Sequence, residues 1–152
     1  MNISRGEASG IINRYLATYP ELEFFFRKCI ADAEATGETR TILGRKRNFE
    51  GFVSATGSIR NSMERMVVNT IVQGSAADII KLAMLRVHER LRDIPDTGLV
   101  LQVHDELVAT APKATAETIT AIIKEEMESA YPLDVPLLVE TGKGRNWLEA
   151  GH

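Results

Sequence analysis

Apolar residues recur along this chain with two periods, and the switches between them outline its elements. Near the N-terminus, Ser4-Arg5-Gly6-Glu7 has the form of a capping box, in which a hydroxyl and a carboxylate satisfy each other's backbone amides. Helical spacing then predicts a helix from about Arg5 to Thr18 that buries Ile11, Ile12, Tyr15 and Leu16. Pro20 opens a second helix at the position where its missing N–H matters least. Leu22, Phe25, Phe26, Cys29, Ile30 and Ala33 form its apolar stripe, and Gly37 is its stop. The run Phe24-Phe25-Phe26 reads as core or helix-packing surface, the alternative being a base-stacking platform.

The period then shortens. Thr39-Arg40-Thr41-Ile42-Leu43 and the residues after Arg47 are predicted as short strands around a turn at Gly44, and Phe49 to Gly57 as loop. Ser58 is predicted to cap a helix reaching about Gln73, with Met63, Met66, Val67, Val68, Ile71 and Val72 on one side. Gly74 interrupts, Ser75 recaps, and another helix runs to about Arg92, burying Ile79, Ile80, Leu82, Ala83, Val87 and Leu91. Next comes the apolar run Leu99–Thr110, broken only at His104-Asp105-Glu106 and bounded by Pro95-Asp96-Thr97-Gly98 and Pro112. It predicts an antiparallel hairpin with His104, Asp105 and Glu106 at its tip. Thr115 is predicted to cap a helix from Ala116 to about Ala130, with Ile119, Ile122, Ile123 and Met127 inward and an acidic, solvated outer face. A turn at Leu133-Asp134-Val135-Pro136 leads into a last strand, Leu137-Leu138-Val139-Glu140, and Trp147 is expected to pack the tail down. The fold class is α+β: a small antiparallel sheet, a central hairpin at 99–110, and amphipathic helices packed on one face.

Composition narrows this little. A chain of 152 residues, 44% hydrophobic and 26% charged, fits one ordinary soluble domain. Cys29 is the only cysteine, which excludes an intrachain disulfide and suits a reducing compartment; it reads as a small core residue. No apolar leader or membrane-length run is present, so no membrane partner is expected. Charge adds more. The net charge is −3, yet between Glu38 and Arg65 the bases Arg40, Arg45, Lys46, Arg47, Arg60 and Arg65 outnumber the acids. Between Glu117 and Glu140 the balance reverses. That asymmetry fits a protein meeting a polyanion on one side, or simply two solvated faces.

Three constellations carry candidate chemistry. Arg45-Lys46-Arg47, at the turn, makes either a phosphate-facing basic tip or a solvated loop. Arg65, Asn69 and Gln73 fall within ~80° of one another on their helix. Such a row of donors could touch the acceptors of a DNA minor groove without reading sequence, and is otherwise an exposed polar face. Asp105 and Glu106 are adjacent carboxylates expected to repel each other and to lose hydration between apolar strands unless a cation neutralises them. Oxygen ligands at a rigid tip suit Mg²⁺; the plain alternative is a solvated polar turn.

Leu101-Gln102-Val103-His104-Asp105-Glu106-Leu107-Val108 resembles motif C of the family-A, DNA polymerase I-like polymerases. Glu64-Arg65-Met66 through Asn69 to Gln73-Gly74-Ser75-Ala76-Ala77-Asp78-Ile79-Ile80-Lys81 is similar to that family's palm helix pair. Leu43-Gly44-Arg45-Lys46-Arg47 resembles its basic hairpin, and Asp134-Val135-Pro136-Leu137 to Trp147 its C-terminal end. The likeness runs from about Ile3 to Trp147. It departs around Thr70-Ile71-Val72, where the family commonly has a proline, and over Asn48–Gly57, which lacks the family's Pro-acidic pattern.

The resemblance implies residues 1–57 as the last fingers helices with the basic hairpin, and 58–152 as palm. It implies that Asp105 binds catalytic Mg²⁺ with help from Glu106, and that His104 lies near the primer terminus. Arg65, Asn69 and Gln73 would contact the minor groove, with Arg45, Lys46, Arg47 and Arg60 as further DNA-binding candidates. The reaction implied is template-directed nucleotidyl transfer by two metal ions, acting on primer–template DNA and a dNTP in the cytoplasm, or wherever the host DNA is replicated. The second aspartate and the triphosphate-gripping fingers helix that this reaction needs are not among these residues. The metal site would therefore be completed outside this chain, by the N-terminal remainder of the polymerase, in a fragment or a naturally split enzyme. The alternative is a non-catalytic DNA-binding or assembly module derived from a palm.

Overall fold

The structure, a computed structural model, describes residues 3–151 and divides the chain into two compact units, Met1–Gly74 and Ser75–His152. In the first, α1 (Arg5–Thr18) starts with the predicted capping box: the Ser4 N–H donates to Glu7 Oε2 at 2.8 Å and the Glu7 N–H to Ser4 Oγ at 3.3 Å. None of its residues is buried, however, and Ile11, Ile12 and Tyr15 are exposed. The cap and local spacing suffice to form the helix, but burial needs a partner element, and this unit builds its core elsewhere. Helix α2 (Pro20–Thr36) begins at Pro20 and stops at Gly37, whose φ of +70° is the left-handed conformation glycine adopts freely.

Cys29 and Ala33 of α2 pack with Val67, Phe49 and Phe52 in one core cluster. Phe52, 1% exposed, is its largest fully buried side chain, worth about 1.5–3 kcal/mol of burial. Both phenylalanines come from the segment read as plain loop. Strands β1 (Glu38–Arg40) and β2 (Lys46–Asn48) pair antiparallel, with Thr39 opposite Arg47 and Arg40 opposite Lys46. The strands are shorter than predicted and β2 starts earlier, so Lys46 and Arg47 are strand residues and the tip is Ile42-Leu43-Gly44.

One helix, α3 (Gly57–Leu91), replaces the two predicted. It begins before Ser58, which therefore lies inside its first turn and does not cap it. Gly74 lowers helix propensity by about 1 kcal/mol without breaking the backbone hydrogen bonds. No proline stands at 70–72 to do so.

In the second unit, β3 (Gly98–Val103) and β4 (Glu106–Thr110) form the predicted antiparallel hairpin, with an irregularity at Val100 between Leu99 and Leu101. Leu99 and Leu107 pack against Val87 and Leu91 of α3 and Ile119 of α4 (Ala116–Glu128). Thr115 precedes α4 as predicted, but its hydroxyl donates to the Pro112 carbonyl and caps nothing. Residues Leu137–Glu140 do not form a strand. They are tied to α4 instead: the Val139 N–H donates to Glu128 Oε1 at 3.0 Å, and Lys124 donates to the Val139 carbonyl. Trp147 opens a short helix, α5 (Trp147–Ala150), and is 49% exposed, so it does not pack the tail as expected. A Cβ on Gly142 would lie 1.6 Å from the Ala150 carbonyl oxygen, so this crossing admits glycine only. The fold class is the α+β expected, with two separate two-stranded antiparallel sheets among the described residues. No helix among those residues is long and apolar enough to cross a membrane.

Candidate functional site

The strongest candidate is the β3–β4 turn. Val103 pairs with Glu106, so His104 and Asp105 make the two-residue connection and Glu106 opens β4. His104 has a φ of +54°, a conformation in which non-glycine residues are strained and which such tight hairpins require. The Gln102 side-chain amide donates to the His104 carbonyl and spans the turn. His104, Asp105 and Glu106 are all exposed. That corrects one expectation: the carboxylates keep their water, so their adjacency carries no desolvation cost. Their hard oxygen atoms are the donor class Mg²⁺ prefers. Among the described residues, no group of three or more His, Cys, Asp or Glu side chains comes together to hold a metal ion. Asp105 and Glu106 thus fit a cation as part of a ligand set.

In the other unit, Arg65, Asn69 and Gln73 stand one turn apart along α3, and each is exposed. The basic triplet beside them is not uniform. The Arg47 guanidinium donates to Thr70 Oγ1 at 3.1 Å and to Met66 Sδ at 3.5 Å, and lies 5.6 Å from the Phe49 ring centroid. Its guanidinium faces α3, while the residue as a whole stays exposed. Lys46 pairs at 3.1 Å with Glu38, which also holds Arg40 at 2.7 Å. These two hydrogen-bonded cations, Lys46 first, hold the Glu38 carboxyl below its ordinary pKa. Arg45 is exposed, and its backbone N–H donates to Thr41 Oγ1 at 3.1 Å. Arg60 is committed within the protein: it pairs with Glu34 and, at 2.9 Å, with Glu64, and stacks 5.3 Å from the Phe52 ring centroid.

The family model described as DNA polymerase family A matches residues 1–149. The chain belongs to DNA polymerase family A. The thermostable DNA polymerase I of Thermus filiformis is 43% identical over 150 residues, 99% of this chain and 18% of that protein. The DNA polymerase I of Mycobacterium bovis is 38% identical over 153 residues, covering 100% of this chain and 17% of that one. The family-A chain thus spans under a fifth of the length of these curated relatives. It is also similar to the solved structure of the POL domain of Pol1 from M. smegmatis in complex with DNA primer-template and dNTP. The TM-score is 0.91 and the identity 37%, over 100% of this chain and 27% of that one.

In this family-A chain the exposed groups are legible in the sequence, and the groups that hold them in place are not. Gln102 lies inside the quoted motif, yet nothing in its spacing announces a bond to a carbonyl two residues on. Thr70 and Met66 are one helical turn apart, the spacing at which one guanidinium can reach both, a signal legible only once the hairpin is known to lie against them.

Proposed function

We propose that this chain supplies part of the polymerase centre of a DNA-directed DNA polymerase: one side of a two-ion Mg²⁺ site, together with contacts to the primer duplex. The observation that carries it is the exposed Asp105-Glu106 pair on a hairpin anchored to a core, in a chain of this family. Asp105 is the principal metal ligand and Glu106 assists, with the remaining ligands supplied by polymerase sequence outside these residues. Bound there, the ions supply Lewis-acid stabilisation of charge on the transferring phosphoryl group. His104 stands at the turn beside them and meets the primer end. The Arg65, Asn69 and Gln73 row offers donors to minor-groove acceptors, which differ little among correctly paired bases, so the row tests pair shape without reading sequence. Arg45 and Lys46 meet phosphates. Arg47 and Arg60, whose guanidinium groups reach helix residues, act as structural cations, whereas Lys46 pairs with Glu38 on the outward face of its hairpin. On this reading residues 1–57 belong to the fingers and 58–152 to the palm. The substrates are primer–template DNA and a dNTP, the two ligands that the M. smegmatis POL domain holds.

The test is a chimera in which this chain replaces the matching segment of the Thermus filiformis polymerase. It is expected to extend a primer with Mg²⁺, to lose extension on Asp105→Ala, and to lose mismatch discrimination on Gln73→Ala. A chimera that binds primer–template but does not extend it would point to the non-catalytic DNA-binding module instead.

A further inference from the structure

The pleat of the β1–β2 hairpin separates its basic residues into two groups. Side chains alternate across a strand, and cross-strand partners share a face. Thr39 pairs with Arg47, and both belong to the face turned toward α3: Thr39 is buried, and Arg47 reaches Thr70 and Met66. Glu38, Arg40, Lys46 and Asn48 belong to the opposite face, where Glu38 bridges Arg40 and Lys46. The hairpin therefore rests on the ridge Met66, Thr70 and Gly74, and at Gly74 the fit is close: a Cβ there would come within 2.8 Å of Thr41 Cγ2. Arg65, Asn69 and Gln73 are each one residue earlier, on the neighbouring ridge roughly 100° around the helix. The hairpin thus lies alongside the donor row.

We infer that Arg47 is a positioning residue: its guanidinium fastens the hairpin to α3, so that the outward cations Lys46 and Arg40 and the Arg65–Asn69–Gln73 row engage one duplex as a single surface. The inference rests on the duplex reading above and adds to it the part that registers phosphate contacts against minor-groove contacts. Three features favour arginine for the task. Its planar fork donates to two acceptors at once, its face stacks on Phe49, and Thr70 Oγ1 is itself oriented by donating to the Met66 carbonyl at 2.7 Å. A lysine keeps the charge but has neither the planar fork that spans both acceptors nor the flat face that lies over Phe49.

That difference gives the experiment. Binding of the full 152-residue chain to a fluorescein-labelled primer–template duplex is followed by anisotropy across a salt series. Each neutralised phosphate adds about −0.9 to the log–log slope of affinity against salt. Lys46→Ala is expected to make the slope shallower by about 0.9. Arg47→Lys, which keeps the charge, is expected to make it shallower by at least as much, and Lys46→Ala is then expected to add nothing. Thr70→Val, with no charge change at all, is expected to shift the slope the same way. The fold-loss on Gln73→Ala is expected to be equal in all these backgrounds, which a general loss of structure would not give. Hydrogen exchange should quicken at the β1–β2 amides in Arg47→Lys and stay slow around Val67. Should Arg47→Ala fail to fold, Arg47→Lys and Thr70→Val still decide the matter. A wild-type slope in Arg47→Lys and Thr70→Val, with a slope shallower by about 0.9 in Arg47→Ala, would make Arg47 a phosphate ligand. That result would overturn the inference while leaving the duplex reading intact. If neither Lys46→Ala nor Gln73→Ala changes affinity, the duplex reading fails and the positioning role falls with it.

Discussion

His104 carries the sharpest conformational demand in the candidate site. Its φ of +54° costs a residue with a Cβ about 1 kcal/mol, and glycine nothing. A position that favours glycine but holds histidine beside two exposed carboxylates has the character of a functional compromise. His104→Gly is therefore expected to raise stability by up to about 1 kcal/mol in denaturant titration while lowering primer extension by the chimera. A Gly variant that loses stability would locate the value of His104 in packing. In the same unit, Glu128 accepts from the Val139 N–H, with a second bond from Lys124, and these hold its carboxyl below the ordinary carboxylate range, the Val139 bond being the larger influence. Because the folded-state value is lowered, the deprotonated form favours folding. The tether is complete above the ordinary carboxylate pKa and is lost as pH falls through the lowered one. NMR relaxation at the Val139 amide is expected to show the 137–140 segment loosening under acid, and already loose at neutral pH in Glu128→Ala, which removes the acceptor.

At the scale of elements, α3 runs unbroken through Gly74, and its close approach to the β1–β2 hairpin depends on that glycine. Gly74→Ala ought to gain about 1 kcal/mol of helix propensity. Its Cβ, however, would meet Thr41 Cγ2 at 2.8 Å. Thr41 is only 6% exposed, and its Oγ1 accepts from the Arg45 N–H, so the methyl has nowhere to turn. Gly74→Ala is expected to destabilise by about 1–3 kcal/mol, and to become stabilising when introduced into Thr41→Ser, which keeps the hydroxyl and removes the methyl. Chemical denaturation of the four-variant cycle measures this. The same contrast between local and distant causes explains what the sequence could show. The capping box at Ser4, the Pro20 start, the Gly37 stop and the 99–110 hairpin depend on residues a few positions apart, and are legible. Phe49 and Phe52, buried from within a loop, and Ile12 and Tyr15, left exposed on α1, depend on which elements meet, which no local period encodes. The expected strand at 137–140 fails for the same reason, since a strand needs a partner whose position is non-local. In each unit the candidate groups offered outward are legible, whereas the clamps, Gln102 on His104 in one and Thr70 with Met66 on Arg47 in the other, are not.

At the largest scale, the activity expected of these 152 residues taken alone follows from the proposed reading. Transfer of a phosphoryl group by two ions requires ligands on both sides of the reacting phosphate, with the ions about 3.5–4 Å apart. Asp105 and Glu106 are neighbours on one hairpin, and on the proposed reading they would serve one side. Several other carboxylates are already engaged. Arg90 holds Glu125 and Glu126, Glu128 is spent on Val139 and Lys124, and Glu34 and Glu64 are paired with Arg60. The helix face expected to be a solvated acidic surface is in part a set of ties. An ion held by Asp105 and Glu106 alone would keep most of its waters, because Mg²⁺ dehydrates reluctantly, and would be bound weakly. The 152-residue chain assayed alone is therefore expected to show no Mg²⁺-dependent primer extension. Extension is expected to return when a polypeptide carrying a family-A fingers helix and the second aspartate is added. In that reconstituted enzyme Asp105→Ala should cost more than about a hundredfold in rate, beyond the loss that follows from removing an outer partner of a metal ligand. Extension by the chain alone, abolished in Asp105→Ala, would mean that these residues complete the metal site without help and would refute the one-sided reading of the hairpin.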